Sequence, residues 1–211
     1  MRTGRRRNAW AALVGAIAVA LALPLVPASA EETPSSSGTA EKTVFTVGIT
    51  QDVDTTNPFT GIAAASFEAY QMMYPTLTEY SAEDFSTVPG LAESWEESED
   101  QTYWTYKIRP GLKWSDGQPL TARDAAYTFN RVINGDIEQT NYGGYTSTIT
   151  KAVAEDDTTL KLFVKRPSPI MYHLAVYILP EHIWKNIDEK QVKSYKNEPK
   201  GDEPVVGGGP Y

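Results

Sequence analysis

The run from Trp114 to Gly135 constrains the fold more than any other part of this chain. Asp116-Gly117 is a tight-turn pair, because glycine takes the positive φ that such turns require. Thr121 follows as a helix N-cap. Asp124, three residues on, stands where a capping box usually has Glu or Gln. Ala125, Ala126, Phe129, Val132 and Ile133 then recur at helical spacing, and Gly135 ends the pattern near Asn134. Upstream, Ser94–Glu99 and Thr102–Ile108 pair as a hairpin across Asp100-Gln101, and Pro110-Gly111 turns the chain again. This part of the chain therefore reads as a β-rich region followed by a capped amphipathic helix.

The flanking segments extend this reading. Phe45, Val47 and Ile49 alternate within Val44–Thr50, which predicts a strand. Asp52 to Pro58 is rich in turn residues, and Asn57-Pro58 forces an extended or turn geometry. Phe67, Tyr70 and Tyr74 predict a helix over Ser66–Tyr74. Asp136 to Thr146 reads as a loop containing glycine and tyrosine. Strands are predicted at Ile149–Ala154 and Thr159–Val164 around a turn at Asp156-Asp157. Short helices with proline in the first turn are predicted at Pro169–Ala175 and Pro180–Asn186. Gln191–Glu203 reads as polar and loose. The three glycines Gly207, Gly208 and Gly209, followed by Pro210, read as a flexible redirection that leads into further structure. The chain is therefore expected to be the N-terminal part of a longer protein.

The N-terminus sets the compartment. Arg2, Arg5, Arg6 and Arg7 precede an apolar or small stretch, Ala9 to Leu23, and Ala28-Ser29-Ala30 offers small residues to a signal peptidase. Basic end, short apolar run and A-x-A make a secretory signal peptide cleaved after Ala30. The stretch falls short of the ~18 apolar residues of a spanning helix. Arg5-Arg6 leaves the twin-arginine route open beside ordinary secretion. Residues 31–43 form a polar linker too poor in apolar groups to bury a core.

Without residues 1–30 the chain carries 15 basic and 27 acidic side chains. That balance opposes binding to nucleic acid, which needs clustered Lys and Arg. There is no cysteine, so burial rather than disulfides must hold the fold, and thiolate metal sites and nucleophiles are excluded. His173 and His182, the only histidines, lack the spacing of a zinc hydrolase. Neither a G-x-S-x-G elbow nor a phosphate-cradling glycine loop is present. No cofactor is expected.

Pro89-Gly90-Leu91-Ala92-Glu93-Ser94-Trp95, then Ile108-Arg109-Pro110-Gly111-Leu112-Lys113-Trp114-Ser115-Asp116-Gly117, and finally Gly207-Gly208-Gly209-Pro210-Tyr211 come in an order and spacing that resemble the bacterial extracellular solute-binding proteins of family 5. These are the dipeptide and oligopeptide receptors of ABC importers. The last stretch is similar to that family's G-T-G-P-Y, with Gly208 in the place of Thr. The resemblance implies an α/β fold: the first lobe and extra α/β subdomain of a two-lobed, periplasmic-binding-protein-like clamshell of class II type, ending before the second lobe. On that basis residues 44–61 start lobe one, 62–203 build the extra subdomain, and 204–211 return to lobe one.

The same resemblance implies a non-enzymatic, exported receptor that hands peptides to ABC transporter permease subunits. Oligosaccharide and nickel remain open as solutes. A secreted hydrolase is the competing class, supported only by export and abundant carboxylates. The signature motifs themselves read as fold-making: Trp95, Trp104 and Trp114 offer apolar area to a small β domain. Ligand contact falls instead to two other places. Asp52, Thr55, Thr56 and Asn57 lie in the loop that would border the cleft. Tyr142 and Tyr145 flank two glycines that permit close approach. For both places, packing or simple turn formation is the competing reading.

Overall fold

The computed structural model describes residue 46, residues 48–201 and residues 204–209. The signal peptide, the linker, most of the strand expected over Val44–Thr50, and Pro210-Tyr211 lie outside the described residues. Gly48, Ile49 and Thr50 are not in a strand. The described residues from Gly48 onward belong to one compact unit. No helix among the described residues is long and apolar enough to cross a membrane.

After the loop of residues 48–63 the chain forms helix α1 (Ala64–Met73) and a small hairpin, β1 (Thr78–Tyr80) with β2 (Thr87–Pro89). Strands β3 (Ala92–Glu97) and β4 (Tyr103–Ile108) follow, then helices α2 (Ala122–Asn134) and α3 (Gln139–Thr146), then strands β5 (Ile149–Ala154) and β6 (Thr159–Val164). A 3-10 turn (Pro169–Tyr172) and two short helices, α4 (Glu181–Trp184) and α5 (Glu189–Val192), complete it. The main sheet has the order β3-β4-β6-β5 and is antiparallel throughout. Period-two patterning explains it: Trp104 stands opposite Leu162 and Tyr106 opposite Leu160, all four buried. On the other face Lys161 lies 4.6 Å over the Tyr103 ring and pairs with Glu155. Helix α2 packs across β5 and β6 with Ala122, Ala125, Ala126, Phe129 and Val132 buried.

The turn and cap read from the sequence are present in detail. Gly117 has φ +85°, and its N–H donates to the Trp114 carbonyl. Thr121 Oγ1 accepts from Arg123 N at 3.2 Å, and Asp124 Oδ2 accepts from Thr121 N at 2.9 Å. Trp104 and Trp114 are buried and Trp95 half-buried.

Three local expectations need correction. Residues 139–146 are a helix, not a loop, although Gly143 and Gly144 disfavour one. Tertiary anchors override propensity here: Tyr142 and Thr146, one turn apart, are both buried, and the buried Glu138 pairs with Arg131. Residues 192–197 are not loose. Asn197 is buried and donates to the Thr56 carbonyl and to Tyr74 Oη, both at 2.9 Å. The glycines at 207–209 serve close approach rather than flexibility. Gly208 N and Gly209 N donate to the Met73 carbonyl at 2.8 and 3.0 Å, at the end of α1. A Cβ on Gly207 would sit 2.8 Å from that oxygen, and one on Gly209 would run into the Met72 carbonyl.

Candidate functional site

Asp54 shapes the loop of residues 52–62. Its carboxylate accepts from Ile62 N at 2.9 Å, from Ala63 N at 3.3 Å and from Ser66 Oγ, while its own N–H donates to Ser66 Oγ at 3.0 Å. This ring closes the loop onto the start of α1, where Ala63 itself supplies no capping side chain. Burial opposes ionisation of the carboxyl, but the bonds from Ser66, Ile62 and Ala63 outweigh it and hold Asp54 below the usual carboxylate range.

Two further elements grip the same loop. From one side, Thr56 Oγ1 donates to the Lys196 or Asn197 carbonyl at 2.8 Å, and Asn57 Nδ2 reaches the Val192 and Tyr195 carbonyls at 2.8 and 2.7 Å. From the other, Asn141 Nδ2 donates to the Gly61 carbonyl at 2.9 Å and Tyr142 Oη to the Pro58 carbonyl at 3.0 Å. Beneath it Tyr70 Oη donates to the Thr55 and Asn57 carbonyls, and burial pushes its pKa up to about 12. Edge-to-face aromatic contacts floor the loop: Phe59 meets Tyr142 and Trp184, and Tyr177 meets Tyr70 and Tyr142.

Of the residues singled out from the sequence, Thr55, Thr56, Asn57 and Tyr142 come together here. Thr55 Oγ1 accepts from Asn57 N at 3.1 Å. Asn57 is buried, and its Oδ1 accepts from Phe59 N, so its amide is spent on the loop itself. Tyr142 is buried too, and burial raises its pKa well above the ordinary tyrosine value. Asp52 is exposed, and Tyr145 is half-buried against the core. The loop turns Asp52, Val53, Asp54 and above all Ile62, which is 82% exposed, to solvent. Sequence reading passed over Ile62, Asp54 and Ser66. The spacing Asp54…Ser66 carries no local motif, and a lone exposed isoleucine is ordinary at sequence level.

Two grooves lie elsewhere. One, of about 680 Å³, runs along α2 past the Arg131–Glu138 pair to Asp188. The other, of about 630 Å³, lies at the far end of α1 between Tyr74, Tyr80, Arg109, Lys113, His173 and Gly209. Among the described residues no group of His, Asp or Glu side chains is placed to hold a metal ion. His182 Nε2 lies 2.7 Å from Asp116 Oδ2, and His173 stacks on Tyr80 with its pKa lowered by burial.

The described unit is an antiparallel sheet backed by one long helix, with a separately braced loop at residues 52–62. The oligopeptide-binding protein AppA of Bacillus subtilis, solved with a nonapeptide, superposes with a TM-score of 0.62 at 25% identity, over 73% of this chain and 30% of that one. A periplasmic oligopeptide-binding protein of Thermotoga maritima with mannohexaose bound superposes with a TM-score of 0.56 at 30% identity, over 67% and 25%. A Brucella ovis protein named as an ABC transporter peptide-binding protein is 31% identical over 190 residues, 89% of this chain and 34% of its own length. The model of the bacterial extracellular solute-binding proteins, family 5 Middle, matches residues 86–211. The chain belongs to that family. It spans about a third of the length of the Brucella relative.

Proposed function

We propose that this chain is the lobe-one portion of an exported receptor that binds peptides and delivers them to the permease subunits of an ABC transporter. The observation that carries the reading is the loop of residues 52–62. Bonds from α1, α3 and residues 192–197 brace it, while Asp52, Val53 and Ile62 face solvent. A wall held this way loses little conformational entropy when a solute docks, which is how a binding surface gains affinity. Thr55, Thr56, Asn57 and Tyr142 act as its scaffold. Asp52 and the half-buried Tyr145 are the candidate residues not spent on bracing. An extended peptide suits such a wall, because main-chain groups and an apolar contact alternate along it.

The receptor itself performs no chemistry, and residues 1–30 are removed after Ala30. Residues 44–61 start lobe one, 62–203 form the extra subdomain and 204–211 re-enter lobe one. An oligosaccharide is the second reading. The mannohexaose-bound Thermotoga maritima neighbour favours it.

Calorimetric titration of the full-length protein with peptide and oligosaccharide libraries tests the proposal. Binding of a peptide at micromolar strength or better, about 8 kcal/mol of free energy, with the ligand recovered intact, is the expected result. Oligosaccharide binding alone would overturn the choice of solute, and cleavage of the ligand would overturn the receptor reading. The 211-residue chain alone should bind far more weakly, because a clamshell gains affinity by closing two lobes on its solute. N-terminal sequencing of the secreted protein should begin at Glu31.

A further inference from the structure

From Thr43 to Tyr106 the chain contains no lysine, arginine or histidine, yet it carries eleven carboxylates. Three of them, Glu79, Glu83 and Asp84, sit on the β1–β2 hairpin and are exposed. At the hairpin's tip Phe85 is 77% exposed and has φ +58°. That left-handed conformation suits glycine or asparagine and is a genuine outlier for a bulky aromatic residue. The loop imposes it. Phe85 N donates to the Ser81 carbonyl at 3.1 Å, Ser81 N to the Ser86 carbonyl at 2.8 Å, and Ser86 N and Oγ to Asp84 Oδ1 at 3.0 and 2.7 Å.

An unfavourable backbone geometry held by three surrounding residues, with a large apolar side chain standing in water, is a combination that folding alone does not reward. The aromatic surface continues from the tip. Tyr80 is 57% exposed and stacks on His173, and the neighbouring Tyr172 is 52% exposed and packs edge-on against Trp104. Arg109 and Lys113 line the same groove as Tyr80.

We propose that the β1–β2 hairpin, with Phe85 as its anchor and Glu79, Glu83 and Asp84 around it, docks into an apolar recess rimmed by Lys and Arg on the extracytoplasmic face of the transporter that receives the solute. The receptor reading supplies the transporter as occupant, and charge sets the kind of surface on it that fits. A carboxylate-rimmed aromatic tip is repelled by anionic lipid and by acidic protein surfaces, and it is drawn to a basic rim. Aromatic side chains seated in a pocket dominate the binding energy of such interfaces. The hairpin is also separate from the proposed solute wall. Ile62 lies just before α1 and Thr78 begins β1 beyond its far end, and the ten residues of α1 span about 15 Å. This inference rests on the receptor reading, and the two can fail separately.

The test uses the full-length receptor with its transporter reconstituted in proteoliposomes, and reads transporter ATPase activity against receptor concentration. Three receptors are compared: wild type, Phe85→Gly, and the double charge reversal Glu83→Lys with Asp84→Lys. Phe85→Gly removes the anchor and at the same time relieves the left-handed backbone, so its melting temperature should hold or rise. The expected result is a half-saturating receptor concentration at least tenfold higher for both variants, with solute affinity unchanged. The wild-type value should also rise with ionic strength. Variants that bind solute and drive the transporter at the wild-type concentration would overturn the docking proposal and leave the receptor reading standing. A wild type that binds no solute in any form would overturn the receptor reading and the docking proposal with it. Binding to phosphatidylglycerol vesicles that Phe85→Gly abolishes would show a membrane as the occupant and overturn the proposal as well.

Discussion

Replacing Glu138 with alanine should unfold this subdomain more readily than any other single carboxylate change. Glu138 is fully buried, and its Oε1 accepts from Arg131 Nε at 2.7 Å. Arg131 is 15% exposed and also donates from Nη1 to Tyr127 Oη at 3.0 Å and to the Trp184 carbonyl at 3.3 Å. Burial works against its charge, but the bonds and attraction from Glu138 and Tyr127 together outweigh it and raise its pKa. Arg131 Nη2 and Glu138 Oε2 have no partner in this arrangement. Both atoms belong to the two planar groups already joined by the Nε–Oε1 bond. Attraction at this distance amounts to about 6 kcal/mol at an effective dielectric of about 20. Desolvation of two ions consumes most of it.

Removing one partner is different, because the guanidinium then stays buried and unpaired, which costs about 3–5 kcal/mol. For a unit of this size that lowers the melting temperature by roughly 6–20 °C. Urea titration at constant m-value reads the same quantity. Arg131→Met combined with Glu138→Leu should recover most of the loss, since no charge is then left behind. Gly135→Ala supplies an independent check. Its Cβ would collide with Glu138 Oε2 and sit 2.9 Å from the Arg131 carbonyl, so it should cost less in the Glu138→Ala background than alone. A loss below about 1 kcal/mol for Glu138→Ala would refute the reasoning, because pairs that weak behave like exposed ones.

Three other outcomes follow from the structure. Gly209→Ala should cost about 1–3 kcal/mol, because the new methyl meets the backbone carbonyl of Met72, whereas Gly144→Ala, with open space around it inside α3, should stabilise by about 0.5–1 kcal/mol; thermal melts of the pair separate close approach from helix propensity. Asp54 has a depressed pKa in the folded chain, so its contribution is present above the unfolded value near 3.9 and fades as pH falls through the lower folded value. Asp54→Asn should therefore flatten the acid limb of the stability curve below about pH 4, and an unchanged limb would remove Asp54 as the loop's organiser. Gly117→Val at φ +85° and Thr121→Ala at the capping box should each cost about 1 kcal/mol or more in urea titrations while leaving solute affinity of the full-length protein near normal; a large affinity loss at unchanged stability would show that these motifs touch solute.

Local physics made much of this protein legible from its residues. Asp116-Gly117 required a turn, Thr121 with Asp124 required a helix start, and the alternation of Leu160, Leu162 and Val164 required a strand buried on one face. Each depends on neighbours within a few positions, so one dimension suffices. Tertiary contact alone decided the rest. Residues 139–146 became a helix because Tyr142, Thr146 and the Arg131–Glu138 pair anchored a weak helix former. Gly207 to Gly209 proved to be a point of close packing because the carbonyls of Met72 and Met73, over 130 residues away in sequence, press against them. The candidate wall shows the same division. Turn chemistry located the loop of residues 52–58. The fold then turned Asn57 and Tyr142 inward as braces and left Ile62 facing solvent, since a buried amide must find hydrogen-bond partners and only the folded chain brings Val192, Tyr195 and Pro58 within reach of these groups.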